Sequence, residues 1–261
     1  MIDLHTHILF GVDDGPVDVA GSVAFARAAL ADGTTTIAAT PHVDAHFGRG
    51  PADFAAPLAA VRAALAEEGV GVEVVAGAEV AMERCLGLEP AELDALTLGA
   101  GPYLLLEAPL SPATGAFDRF AATLLARGRR LLIAHPERCP AFQRRPDRLA
   151  DLVAAGALAQ VTGASLAGRF GRTVRAAAVG MLERGLVHDL ASDGHHATER
   201  PPGLREGLEH AARALPGASA LADWLTVDVP RAILDGAPHP PRPALPVPPP
   251  RRGLRGRLRP R

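Results

Sequence analysis

Short apolar runs without polar alternation recur along the chain, at residues 1–5, 34–40, 72–76, 103–107, 131–134, 158–162 and 187–191. Continuous runs of this length suit parallel strands, whose two faces are both covered by helices. Between them lie longer Ala- and Leu-rich stretches, at 19–32, 54–68, 117–127, 146–155 and 173–184, that read as helices. Each is followed by a glycine (Gly33, Gly69, Gly128, Gly156, Gly185), the residue that most readily turns left-handed just past a helix end. Asp53 is placed to cap the second helix and Pro146 to open the fourth. Strand and helix alternate about seven times, which predicts an α/β fold built as a (β/α) barrel or a closed variant of one. The competing architecture is an open doubly wound sheet, which binds ligands at a single crevice.

The polar residues that interrupt this pattern cluster at one end of the runs. In order they are His5 and His7, Asp13 and Asp14, His42, Glu79, Glu107, His135, and Asp193 with His195. A parallel barrel delivers the carboxyl ends of its strands to one mouth, so scattered positions of this kind converge. His5 and His7 are two apart and lie on one face of a strand, and Asp193 and His195 repeat the spacing. One histidine at a strand end is an ordinary polar terminus. This many ionisable groups at one mouth are costly to bury unless cations pair them. The donor set suits a metal-dependent hydrolase: carboxylates favour manganese, iron or magnesium, and imidazole also favours zinc. No Cys/His finger spacing is present, which excludes a structural zinc ribbon.

Composition narrows the reading. The chain has 261 residues, 48% hydrophobic, enough for one sizeable core, and a net charge of −2 that argues neither for nor against nucleic acid. Aromatic residues are only 4%, which disfavours stacking on single-stranded nucleic acid. All 27 basic residues are arginine, a bias that we read as coding rather than mechanism. Two cysteines, Cys85 and Cys139, fit a reducing cytoplasm better than a disulfide scaffold. No signal peptide or membrane-spanning segment is expected from the pattern. Cys139 and Arg145 have the spacing of thiol-based phosphatases. The residues between them lack the glycines that let backbone N–H groups wrap a phosphate, so the match is read as coincidence. Beyond residue 235 the chain turns Pro- and Arg-rich, and 236–261 is expected to be a disordered tail. Weak attraction to an anionic membrane surface is its functional alternative.

Taken together, His5-Thr6-His7, Thr40-Pro41-His42, Glu79, Glu107, His135-Pro136-Glu137-Arg138 and Ser192-Asp193-Gly194-His195 resemble the PHP (polymerase and histidinol phosphatase) superfamily, and Asp13-Asp14-Gly15, His135-Pro136-Glu137-Arg138 and Gln160-Val161-Thr162 with Ser165-Leu166 resemble one branch of it. Asp193 to Arg200 and the opening Met1-Ile2-Asp3-Leu4 are most similar to its branch of bacterial tyrosine-protein phosphatases from capsule and exopolysaccharide loci. The resemblance covers 1–235 and implies a distorted (β/α)7 barrel with two or three divalent ions, manganese first and iron, zinc or magnesium as alternatives. It implies one ion on His5, His7, Glu79 and Asp193, a second on Glu79, Glu107 and His135 with Glu79 bridging, and a third on Asp14, His42 and His195. Arg138 and Arg200 match its phosphate-binding arginines, while His46 and His196 are read as bystanders. Asp3 is a candidate to orient a ligating histidine. The implied activity is hydrolysis of phosphotyrosine in a protein, with the tyrosine-rich tail of a bacterial tyrosine kinase as the expected partner. A small-molecule phosphatase of histidinol-phosphate type is the alternative on the same fold. A nuclease or proofreading module would need an adjoining polymerase-like segment or a broad basic face, and neither occurs. A non-catalytic binding scaffold would instead carry less than one metal ion per chain.

Overall fold

The computed structural model describes residues 1–99, 101–111 and 116–245. It is a mixed α/β protein whose strands all pair in parallel. Nine strands are described: β1 (Ile2–Thr6), β2 (Thr36–Ala39), β3 (His42–Val43), β4 (Glu73–Ala76), β5 (Glu79–Ala81), β6 (Tyr103–Glu107), β7 (Arg130–Ala134), β8 (Leu158–Thr162) and β9 (Asp189–Ala191). They form two sheets, ordered β1-β2-β4 and β3-β5-β6-β7-β8-β9.

The two sheets share their strand runs. The run expected at 34–40 extends further and divides into β2 and β3 around Thr40 and Pro41, and the next divides into β4 and β5 around Gly77 and Ala78. Proline has no N–H for a ladder, so pairing stops there. Thr40 instead turns both its backbone N–H and its hydroxyl to the carbonyl of Thr6 (2.8 and 3.1 Å). The two outer edges, β1 and β9, also meet. Thr6 and Gly194 form an isolated parallel bridge, His7 N donates to Gly194 O (2.8 Å) and Asp193 N to His5 O (3.0 Å). Asp3 joins the same seam, its Oδ1 accepting from Ser192 N (3.1 Å) and His5 N (3.3 Å). It therefore orients the backbone of a candidate ligand through the His5 N–H.

The helices are α1 (Val19–Asp32), α2 (Ala55–Glu67), α3 (Met82–Cys85), α4 (Pro90–Asp94), α5 (Phe117–Ala126), α6 (Pro140–Arg144), α7 (Pro146–Ala154), α8 (Gly163–Ala167), α9 (Arg172–Glu183), α10 (Leu204–Ala214) and α11 (Val229–Asp235). The five glycines expected beyond helix ends all have positive φ, from 65° at Gly69 to 103° at Gly156. Capping differs from expectation. Asp53 lies in a 3-10 turn before α2 and accepts from Gly50 N (2.8 Å), whereas Asp18 caps α1 by accepting from Gly21 N (2.8 Å). The apolar interior is richest on β6, β7 and β8, where Leu104, Leu105, Leu106, Leu131, Leu132, Ile133 and Val161 are buried. Each such side chain contributes about 1.5–3 kcal/mol of burial. Phe117 and Phe142 close the helical layer edge to face at 5.9 Å.

Helices α8, α10 and α11 add to those read from the sequence pattern. α10 packs on α8 so closely that a Cβ at Gly207 would lie 2.6 Å from Gly163 Cα. Residues 236–245, read as the start of the tail, lie against the body: Trp224 Nε1 donates to Pro240 O (2.9 Å) and Arg242 to Leu182 O (2.8 Å). The packed chain thus continues past residue 235, and the Pro/Arg-rich stretch 246–261 lies outside the described residues.

Candidate metal centre

All nine residues read from the sequence as ligands converge: His5, Glu107, His135, Asp193 and His195 lie at or just past the ends of β1, β6, β7 and β9, His42 and Glu79 open β3 and β5, and His7 and Asp14 follow β1. Four groups have donor atoms within 4.8 Å of one another: His7, Asp14, His42 and His195; His5, His7 and Asp193; His5, Glu79 and His135; His42, Glu79 and Glu107. The partition differs in detail from the expected one. Glu107 keeps Glu79 but adds His42 in place of His135, and His7 joins the third group.

Hydrogen bonding fixes how the imidazoles face. His5 Nδ1 donates to Gln160 Oε1 (2.8 Å), whose own amide donates to Asp189 Oδ2. His7 Nδ1 donates to Asp13 Oδ2 (2.7 Å). With both Nδ1 positions protonated, a neutral ring has its bare lone pair on Nε2. These two nitrogens face each other at 3.3 Å, with Glu79 Oε2 at 3.2 and 3.5 Å and Asp193 Oδ1 at 3.7 and 3.5 Å. Two lone pairs and two carboxylate oxygens aimed at one point repel unless something positive sits among them. His42 Nδ1 and Glu79 Oε2 are likewise buried, 3.1 Å apart and without a hydrogen-bond partner.

The titration behaviour follows the same field. Burial alone would depress His5 and His7, yet Glu79 and Asp193, with Asp13 at His7, outweigh it and raise both, His7 well above its ordinary value. Burial would raise Glu79 and Asp193, yet the surrounding histidines, with Arg200 at Asp193, hold both well below the usual carboxylate range. Burial and the charge on Glu79 push Glu107 up to about 7. His195 is held down to about 4 by burial and His7, so it is neutral and a competent donor at pH 7. A site that draws protons this strongly exchanges them for divalent cations, so the donor set fits a metal.

The backbone is bent to make this geometry. His135 (φ 32°) and Asp193 (φ 51°) are the non-glycine residues with positive φ among the described residues. Each conformation costs on the order of 1–3 kcal/mol and persists where the surroundings over-determine it. Gly15, two residues after Asp13, leaves no room for a side chain: its Cβ would lie 2.1 Å from the His7 carbonyl oxygen. Asp13 can then reach back to His7 and also accept from His42 N (3.1 Å).

Asp193 joins this cluster to the arginines. Its Oδ1 faces the histidines, while Oδ2 accepts from Arg138 (2.7 Å) and Arg200 (3.0 Å). Arg200 also donates to His195 Nε2 (2.9 Å) and lies 3.6 Å from Asp14. Cys139 is buried, and the residues after it form α6, so no loop surrounds a phosphate there. The structure adds three residues beyond those nine and two: Asp13, Gln160 and Asp189. The signal for Asp13 and Gln160 was their place in the quoted motifs; Asp189, inside an apolar run, carried none.

Residues 1–235 match the family described as capsular polysaccharide synthesis, CpsB/CapC. The chain belongs to that family. The tyrosine-protein phosphatase YwqE of Bacillus subtilis is 34% identical over 209 residues, 80% of this chain and 82% of its own. The tyrosine-protein phosphatase CpsB of Streptococcus pneumoniae is 29% identical over 242 residues, 90% and 98% of the two chains. A chain from the crystal structures of YwqE and CpsB, described as unique metal-dependent tyrosine phosphatases, superposes with a TM-score of 0.82. It is 31% identical, and the match covers 95% of this chain and 99% of that one. Among the described residues, no helix of this CpsB/CapC member is long and apolar enough to cross a membrane.

Proposed function

We propose that this CpsB/CapC family member is a metal-dependent tyrosine-protein phosphatase. The observation that carries the reading is the convergence of donor atoms from His5, His7, Asp14, His42, Glu79, Glu107, His135, Asp193 and His195, in groups within 4.8 Å, beside two arginines. Glu79 would serve ions on both of its sides: Oε1 lies 2.7 Å from His135, and Oε2 lies near His5, His7 and His42. The ions are two or three in number, manganese by first preference, with iron, zinc or magnesium also suited to these donors. Bound there, divalent cations supply Lewis-acid stabilisation and water acidic enough to attack near neutral pH.

The chain's own groups do the rest. Arg138 and Arg200 present planar donor forks to the non-bridging phosphate oxygens, which a lysine would not match. Asp193 holds both forks at one oxygen, so they reach the phosphate from one side. Asp13 and Gln160 hold His7 and His5 by Nδ1 and leave Nε2 free. We take the strands to close as a distorted (β/α)7 barrel of the PHP type through the Thr6–Gly194 seam, with 1–235 as the catalytic domain. The protein works in the cytoplasm on the tyrosine-rich tail of a bacterial tyrosine kinase, with the Pro/Arg-rich stretch after 245 adding at most weak attraction to an anionic surface.

The test is hydrolysis by chelator-stripped protein given Mn²⁺, Fe²⁺, Zn²⁺ or Mg²⁺ in turn, with a phosphotyrosine peptide and histidinol phosphate as substrates. Cation-dependent turnover that favours the peptide is expected. No turnover with any cation, or a preference for histidinol phosphate, overturns the reading.

A further inference from the structure

Next to Asp193 and Arg200 lies a cavity of about 410 Å³ whose walls include Ala164, Phe170, Ser192 and Pro201. That volume is in the range of small-molecule pockets, about 300–1,000 Å³. Of the other charged residues in its lining, Arg169 and Glu206 pair with each other at 2.8 Å, and Glu199 adds one carboxyl group next to Arg200.

Phe170 is the one aromatic among the large apolar side chains that the described residues leave exposed. It stands in a short loop between α8 and α9, flanked by Gly168 (φ 86°) and Gly171 (φ 92°). Backbone hydrogen bonds hold the loop: Arg169 N to Ala164 O and Gly171 N to Gly168 O, both 3.0 Å. The ring is therefore positioned before any ligand arrives. The guanidinium carbon of Arg138 lies 4.5 Å from its centroid, over one face. A solitary exposed phenylalanine is ordinary; one stacked on an arginine that also contacts Asp193 is not placed at random.

A phosphate monoester gripped by Arg138 and Arg200 must direct its ester oxygen, and the group attached to it, away from the buried ligands. The space that starts at Asp193 and Arg200 is this cavity. We propose that it receives the ring of an aryl phosphate and that Phe170 is its aromatic wall, which contacts the leaving group directly and sets the preference for aryl over alkyl esters. This rests on the phosphatase reading above and adds the part of the site that selects the leaving group. The ring packs offset or edge-on against Phe170, the arrangements that aromatic pairs prefer.

The experiment uses full-length, Mn²⁺-loaded protein and two inert probes, benzylphosphonate and propylphosphonate, whose Kd values are measured by calorimetry. Wild type is expected to bind the benzyl probe more tightly. Phe170→Leu should weaken benzylphosphonate roughly 3- to 10-fold and propylphosphonate less than about 2-fold, while Phe170→Trp keeps the aryl preference. Ala164→Leu, which narrows the cavity from the other wall, should weaken the benzyl probe selectively as well. Equal losses on both probes would assign Phe170 only to steadying Arg138 and overturn the proposal, as would a wild type without preference. Hydrolysis of the phosphotyrosine peptide by wild type is read in parallel. Turnover without aryl selectivity sinks the pocket alone, whereas no turnover with any cation sinks the phosphatase reading, and the binding arms still judge the pocket.

Discussion

Two histidine clusters stand at opposite ends of the strands, and they behave in opposite ways. At the carboxyl ends, His5 and His7 are buried and raised in pKa. Just before β9 starts, His188 is also buried, packs near Trp224 and His239 (6.0 and 5.7 Å between ring centroids), and is pushed down to about 4. Burial depresses all three. Carboxylates make the difference: Glu79 and Asp193 stand within 3.7 Å of His5 and His7, and Asp13 anchors His7, whereas the charges acting on His188 are His239 and Arg242. His188 Nδ1 is an acceptor, taking the backbone N–H of Ala159 (3.3 Å), and the ring is a neutral packing element. A buried histidine thus becomes a ligand candidate when its Nδ1 proton is tied off and its Nε2 meets carboxylates.

The largest effect that separates the two ends comes from removing a ligand. Asp193→Ala or His42→Ala should lower kcat/KM for a phosphotyrosine peptide on the order of 10³-fold or more, with metal content falling in parallel. Residual activity within tenfold would remove the carboxyl end's claim to be the reaction site. Next come the groups behind the ligands. Asp13→Ala and Gln160→Ala should each weaken metal affinity roughly 10- to 100-fold, measured by competition with a chromogenic chelator. At the other end, His188→Leu should leave metal content and turnover within about twofold and cost about 1 kcal/mol in urea unfolding, the worth of its lost hydrogen bond. A change in metal content there would erase the contrast.

Asp189 sharpens the comparison through pH. It is fully buried, and burial raises it to about 8, with the charge of Asp3 adding to the rise. The folded state therefore binds this proton more tightly than the unfolded chain. Its burden is absent below about pH 4, grows as pH rises, and is complete above about 8. Asp189→Asn in metal-stripped protein should match wild type near pH 4 and gain a few degrees in Tm by pH 8. A gain that shrinks with rising pH would mean that the carboxylate is ionised and paired. Smallest of all is the thiol: Cys139→Ser should keep turnover within about twofold, because Cys139 is buried against the start of α6 and faces no phosphate cradle.

Much of this was legible in local pattern. The apolar runs became β1, β2, β4 and β6 to β9, and the glycines after five helices turned left-handed, because strand burial and helix termination depend on a few neighbouring residues. The nine candidate ligands could be picked out because strand ends that carry His, Asp or Glu are conspicuous against apolar runs, whereas Arg138 and Arg200 were marked only by the family resemblance. Less legible were the breaks that create β3 and β5 and the 3-10 turn that claims Asp53. These depend on what lies across the fold, such as the Thr6 carbonyl that Thr40 meets. Asp189 was hidden because a lone acid in an apolar run looks like a strand start until Gln160 is found beside it.

Chemical identity along the chain thus pointed by itself to which side chains would gather and what kind of ion chemistry they suit, and the family resemblance added the phosphate chemistry. Donor type and strand periodicity are local properties. Only the tertiary structure decided which atoms face one another: that Asp193 turns one oxygen to the histidines and the other to the arginines, that His7 belongs with Asp14 as well as with His5, and that Phe170 stacks on Arg138. Those contacts join residues far apart in sequence, and their geometry is set by packing, which no segment specifies alone.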